Sequence, residues 1–343
     1  MKLKPSGRLA KILLAGAGLA VLVALIGGVW LARQLDPPGP PGDEVRVAIQ
    51  PGTSVAGIAE LLEREQVLTS SRIFRFYLKV KGADAFQAGE YALNRRMGMN
   101  AALAALEDGP EIVFSRLVIP EGFTLTEMAE VVGKLPGRSG ERFLELARSG
   151  TIRSRWQPES VDTLEGLLFP DTYLVNDQED EEDIIRRAVS RFDEVVAEVG
   201  LDAGPRPADL DTYETIVAAS LVETEGKVAD DRPLIASVIE NRLEIGMRLQ
   251  IDATVLYALG KHKSRVLFKD LEVESPYNTY RVDGLPPTPI GAPGRASLEA
   301  MLDPADEDYL YYVLIDKNGR HAFAETAAEF ERLKAESRRK GVR

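Results

Sequence analysis

The 343-residue chain carries 42 Lys and Arg against 54 Asp and Glu, a net charge of −12, and its 45% hydrophobic and 28% charged content is that of an ordinary globular protein. The acidic balance argues against nucleic acid as a partner gripped by a basic surface. Without cysteine there are no disulfides, thiolate metal sites or cysteine nucleophile. The histidines, His262 and His321, form no HExxH, no GxSxG occurs, and no motif calls for a metal or organic cofactor.

Residues 1–11 form a short tail with Lys2, Lys4, Arg8 and Lys11, followed by an uncharged apolar run from Ile12 to Ala32. As a helix that run would reach about 31 Å, enough for a hydrocarbon core. Positive charge before it against a lone Arg33 after it predicts a cytoplasmic N-terminus, with the rest of the chain outside the cytoplasm on the periplasmic face of an inner membrane. A cleaved signal peptide is the alternative. The run is longer than a usual signal core, and no clear small-x-small site follows it.

Residues 33–43, with PPGPPG at Pro37–Gly42, read as a stiff spacer. A small β-α-α-β module is expected over 44–115. Val45, Val47 and Ile49 alternate as a strand. Thr53 or Ser54 caps a helix burying Val55, Ile58, Ala59 and Leu62. Ser70 or Ser71 caps a second helix burying Ile73, Phe76, Tyr77 and Val80, and Phe86–Leu93 returns as a strand. The pattern recurs 70 residues on, where Ile119, Gly122, Thr124, Leu125, Met128, Ala129 and Glu130 match Ile49, Gly52, Ser54, Val55, Ile58, Ala59 and Glu60.

The remaining 116–343 reads as a mixed α+β domain with a helical centre. A helix is expected near 141–149, then LEGLLFPDTYLV, Leu164–Val175. Six acids in the seven residues Asp177–Asp183 suit a solvated loop and the first turn of a helix running to Val199. Tyr213–Gly226 forms a helix on which Ile216, Ala219, Ser220 and Glu223 share a face. A carboxyl held against apolar neighbours at a helix C-terminus is disfavoured as an anion, by desolvation and by the helix dipole, which makes Glu223 a candidate general acid. Glu225 lies about 200° round that helix and cannot share the face. Asp230 or Asp231 then caps a helix with Pro233 in its first turn. Gln250, Asp252 and Thr254 alternate as on an extended segment, and the Pro- and Gly-rich stretch Ser275–Gly294 suits a groove wall. A hairpin around Lys317-Asn318-Gly319 and a helix close the chain.

Several ordered blocks carry a resemblance: Leu164–Tyr173, ASLVETEG at Ala219–Gly226, Asn241–Gly260, Ser275–Gly294 and HAFAETAAEF at His321–Phe330. In these the chain resembles the membrane-anchored endolytic murein transglycosylases of the YceG-like type, over roughly residues 12–330. The resemblance implies cleavage of the MurNAc-GlcNAc bond within peptidoglycan strands, leaving 1,6-anhydro-MurNAc ends. It also implies a LysM-like, glycan-binding character for 44–115, contact with the cell-wall synthesis machinery, and Glu223 as the catalytic acid. Ala253 departs from the family where proline is common, as does Ala292 where a polar residue is common.

For substrate contacts the reading offers Gln250, Asp252, Thr254, Tyr277, Asn278 and Tyr280, with Glu165, Glu225 and His321 beside them; bonding of these side chains within their own loops is the alternative. His321 either meets a substrate carboxylate or bonds within its hairpin, and His262 reads as an exposed loop residue. Two other functions stay open. One is a tethered glycan-binding scaffold without catalysis. The other is a muramidase-type hydrolase, which needs a second acid from Glu165, Asp171 or Asp252.

Overall fold

A computed structural model of the protein describes residues 7–50, 52–83, 85–110, 114–203, 207–260 and 266–342. His262 lies outside them. The chain divides into two compact units, 1–113 and 114–343, each with its own hydrophobic core.

The first unit opens with helix α1 (Gly7–Leu35), of which Gly16–Leu35 has mean hydropathy 1.8 and no fully buried residue, only Leu35 at its end packing beside the core. Its length and composition suffice to cross a membrane, a test that a signal sequence also passes. Strand β1 (Glu44–Ile49) follows, then α2 (Val55–Arg64), α3 (Ser71–Lys81), β2 (Gly89–Asn94) and α4 (Met99–Asp108). β1 and β2 pair antiparallel, with Val47 opposite Tyr91, and both side chains are buried. Ser54 and Ser70 cap α2 and α3 by accepting from the N–H groups of Gly57 and Ile73.

The buried face of α3 differs from the one expected. Phe74 and Leu78 enter the core, while Phe76 and Val80 are 70% and 69% exposed. Ile73 and Tyr77 only flank the core. Ile73/Tyr77, Phe74/Leu78 and Phe76/Val80 all satisfy the i, i+4 spacing on this helix, so periodicity alone could not choose the row that enters the core. Helix α4 buries Met99, Ala102, Leu103 and Leu106, a helical spacing that the sequence reading left unassigned.

In the second unit β3 (Phe114–Val118), α5 (Leu125–Val132), α6 (Gly140–Ala147) and β4 (Thr172–Asn176) repeat the β-α-α-β order, and β3 and β4 pair antiparallel. The 70-residue sequence echo therefore corresponds to a repeated architecture. Thr124 caps α5 through a full capping box with Glu127. Helix α7 (Glu181–Val199) starts from a second box, Asp180 with Asp183, so the acidic run marks a helix start.

Helix α8 (Thr212–Glu225) is the centre of this unit. It starts from a box formed by Asp211 and Glu214, and every residue from Thr215 to Val222 is buried. A helix apolar on all sides belongs inside. α9 (Arg232–Glu244), α10 (Asp252–Leu259) and α11 (Arg295–Leu302) enclose it. The antiparallel pair β5 (Tyr311–Leu314) and β6 (His321–Ala324) packs with α12 (Ala327–Arg339) at the end of the chain.

Candidate active site

Glu223 occupies the last turn of α8, where the helix leaves its backbone carbonyls unpaired. Its side chain is 8% exposed. Oε2 accepts from the Gly294 N–H at 3.0 Å and from the Ser297 hydroxyl at 2.8 Å. These are the N-cap and third residue of α11, a helix whose own N-cap glycine has no side chain to offer. The carboxylate of one helix thus caps the start of another, and the positive end of the α11 dipole faces it. On the other side Arg232 Nη2 lies 3.9 Å from Oε1. The sequence leads one to expect apolar neighbours; the chain also surrounds this acid with donors and a guanidinium. Arg232 Nε is buried and finds no partner among the described residues.

Backbone contacts fix this arrangement. The turn after β3 meets the segment before α11, with Gly122 N–H donating to Ala292 O at 2.8 Å and Ala292 N–H to Phe123 O at 2.9 Å. A side chain at Gly291 would collide with the Gly122 carbonyl. Ile290 N–H donates to the buried Ser220 hydroxyl on α8 at 3.2 Å. Ala292 is fully buried at this junction, which a polar side chain would not suit.

The same junction brings in Glu121. Its carboxyl lies against Gly294, where any Cβ would collide with it. Burial raises its pKa, the neighbouring Glu223 raises it further, and Arg232 opposes both. Sequence reasoning passed over Glu121, Arg232 and Ser297. Each stands next to a feature already noticed: Gly122 of the repeat, the Asp231-Pro233 helix start, and the Gly294 end of the loop block.

The other expected residues lie elsewhere in the unit or turn inward. Glu165 is 2% exposed, its two oxygens accepting from Leu125 N–H at 2.8 Å and the Tyr257 hydroxyl at 3.0 Å. Burial pushes its pKa up to about 7, with those two donors pulling the other way. It anchors the start of α5 to α10.

The expectation of one extended face for Gln250, Asp252 and Thr254 is corrected. Gln250 sits exposed in a left-handed turn (φ 50°), whereas Asp252 and Thr254 open α10 and point in different directions. Thr254 is fully buried and bonded to the Thr279 hydroxyl at 2.9 Å. Asn278 is fully buried too, its amide donating to the carbonyls of Leu271 and Val273 and its oxygen accepting from Tyr280 N–H. Both side chains hold the loop together from within. Tyr277 bonds Thr288 at 2.8 Å and packs 4.8 Å from the Tyr257 ring. Tyr280 donates to Asp252 Oδ1 at 2.6 Å, beside a small cavity lined by Asp252, Val266, Leu267, Phe268 and Leu271.

His321 is tied across the fold rather than within its hairpin. Its backbone N–H and its Nδ1 lie 2.7 and 3.1 Å from Asp231 Oδ2. Asp231 stands at the N-cap of α9, where the sequence suggested Asp230 or Asp231, but makes no side-chain cap bond there. Glu225 faces away from Glu223, towards Tyr312, whose hydroxyl is pushed well up first by burial and then by Glu225. Asp171 is exposed and accepts from its neighbour Thr172 N–H.

The model of the YceG-like family matches residues 47–336. The chain is 38% identical over 304 residues to the endolytic murein transglycosylase of Bacillus subtilis, covering 84% of each. To that of Streptococcus pneumoniae strain D39 it is 32% identical over 326 residues, and there it spans 58% of the relative's length. A crystal structure of a yceG-like protein from Listeria monocytogenes superposes with a TM-score of 0.57 at 34% identity, over 85% of this chain and 99% of that one. With its matched region running through both units and the whole Glu223 junction, this chain belongs to the YceG-like family.

Proposed function

We propose that this protein is an endolytic peptidoglycan lytic transglycosylase, with Glu223 acting as general acid and then as base. The observation that carries the reading is Glu223 itself, a shielded carboxyl fixed by Gly294 N–H, Ser297 and Arg232 in a chain whose relatives are named endolytic murein transglycosylases. In the reaction a proton passes to O4 of the departing GlcNAc as the C1–O4 electron pair leaves with that oxygen. The C6 hydroxyl oxygen of MurNAc then closes on C1, and its proton returns to the carboxylate. No water is consumed, and the new end is 1,6-anhydro-MurNAc. Arg232 and the α11 N-terminus hold the charge that Glu223 carries between the two proton transfers.

On the same reading residues 12–32 anchor the protein in the cytoplasmic membrane with the N-terminus inside, and the catalytic unit works on the periplasmic face. The 44–115 module serves as a LysM-like glycan-binding element, and cell-wall synthesis proteins are the natural neighbours. A hydrolase is the competing chemistry, because Glu121 supplies the nearby second carboxyl that such a mechanism uses.

The test is product analysis on purified sacculi. Anhydro ends are expected from the parent, and none from Glu223→Gln, whose amide oxygen can still accept from Gly294 N–H and so keep the fold. Reducing ends in place of anhydro ends would instead establish the hydrolase, and full release by a folded Glu223→Gln protein would remove this residue from the chemistry.

A further inference from the structure

Glu121 and Glu223 reach the same peptide from two sides. The carboxyl of Glu121 rests on Gly294, and the N–H of Gly294 is the donor that holds Glu223. One residue along, the position a Cβ would take on Gly122 is only 3.8 Å from Glu223 Cγ. Arg232 of α9 acts on both acids.

Around them, α11 contributes the Ser297 hydroxyl to Glu223, while Arg295 of the same helix is engaged by Glu198. On the segment that carries Glu121, Glu127 is held in the capping box of α5. Two carboxyls against one guanidinium leave an excess negative charge that a single proton cancels. Access divides the pair. Glu223 is shielded and already accepts two hydrogen bonds, whereas Glu121, although partly desolvated, keeps part of its surface in solvent.

We propose that Glu121 is the electrostatic partner of Glu223, a positioning residue whose negative charge helps the pair retain the single proton that cleavage requires. The inference rests on the lytic reading for what that proton does, although its effect on titration does not depend on which product forms. The two carboxyls share Gly294 and Arg232, so a charge placed on one is felt by the other. Because part of its surface meets solvent, Glu121 can exchange a proton with it between turnovers. Atoms balance without a further reactant: the proton given to O4 is replaced by the one from the C6 hydroxyl.

The test compares the pH dependence of glycan cleavage by the full chain in detergent for the parent, Glu121→Gln and Glu121→Asp. Glu121→Gln removes the charge, so the alkaline limb of kcat/KM moves to lower pH by about one unit, while Glu121→Asp keeps the limb near its parental position. A merely structural role would lower activity at every pH and leave the limb in place, and that result overturns the proposal.

Should Glu121→Gln cleave too slowly to profile, carboxyl carbon NMR titration of ¹³C-glutamate-labelled protein reads the same quantity without turnover. The Glu223 signal, identified by its loss in Glu223→Gln, shifts its transition to lower pH in Glu121→Gln. An unmoved transition overturns the proposal. These readouts stand even if product analysis yields reducing ends, so failure of the lytic reading and failure of the Glu121 pairing are told apart.

Discussion

Glu165 illustrates how a buried acid can look catalytic in a sequence and serve the fold in three dimensions. Its carboxyl joins the first N–H of α5 to the Tyr257 hydroxyl of α10, and burial lifts its pKa to about 7 from an ordinary 4.5. The folded protein therefore keeps this proton up to about pH 7, while the unfolded chain releases it near pH 4.5. Between those values the native state binds more protons, so stability declines as pH rises through that window, by an amount on the order of 3 kcal/mol. Glu165→Gln is neutral at all pH values and can preserve both contacts once the Tyr257 hydroxyl turns to accept. Thermal melts across pH 4.5–8 are expected to show a shallower decline for this variant than for the parent. An unchanged slope would mean that Glu165 is charged and accommodated in the folded state. Glu223 has a different setting, with α11 donors and Arg232 around it at the end of α8.

Among the elements, α3 and α8 mark where pattern reading is strong and where it is not. The existence of α3 and its Ser70 cap follow from local chemistry, but the choice of buried row does not. With Phe74 fully buried, Phe74→Ala is expected to destabilise the protein by about 3–5 kcal/mol. At the exposed positions, Phe76→Ser and Val80→Ser should fall within about 0.5 kcal/mol of the parent. Chemical denaturation of the three variants decides between the two rows; equal losses at all positions would return Phe76 and Val80 to a core. The start of α10 departs from its local pattern for a related reason. Gln250, Asp252 and Thr254 do alternate in the sequence, yet the left-handed turn at Gln250 ends the extended segment and Asp252 starts a helix. α8 shows the limit of amphipathicity as a guide. Its stripe with Glu223 was visible, but the helix is buried all round, so its partners on every side determine what that acid meets.

For the molecule as a whole, the apolar stretch Gly16–Leu35 is the feature with the plainest physical consequence. Deleting residues 1–35 is expected to move the protein from the membrane fraction of cells to the soluble fraction, with cleavage of purified sacculi retained in vitro. Intact-mass measurement of the membrane-extracted parent should include the N-terminal residues; a chain shortened at its N-terminus would identify the segment as a removed signal.

Much of the remaining architecture was legible because it is written in short-range chemistry. Apolar alternation, hydroxyl and acidic caps, and a Gly-containing turn mark β1, α2, α5, α7 and the β5–β6 hairpin, and the echo between Ile49–Glu60 and Ile119–Glu130 anticipated two modules of the same β-α-α-β order. The sequence by itself determined these elements, the apolar N-terminal helix, and Glu223 as the acid to watch, since each depends on residues within a turn or two of one another. Only the tertiary structure decided the company Glu223 keeps. Glu121, Arg232, Gly294 and Ser297 lie between 9 and 102 residues from it in the chain, and no local periodicity connects them. Their meeting depends on side-chain-free approaches at Gly122, Gly291 and Gly294 and on the backbone bonds between the β3–α5 turn and the segment before α11. Packing at that junction, rather than the helix that bears the acid, sets the electrostatic surroundings in which the acid sits.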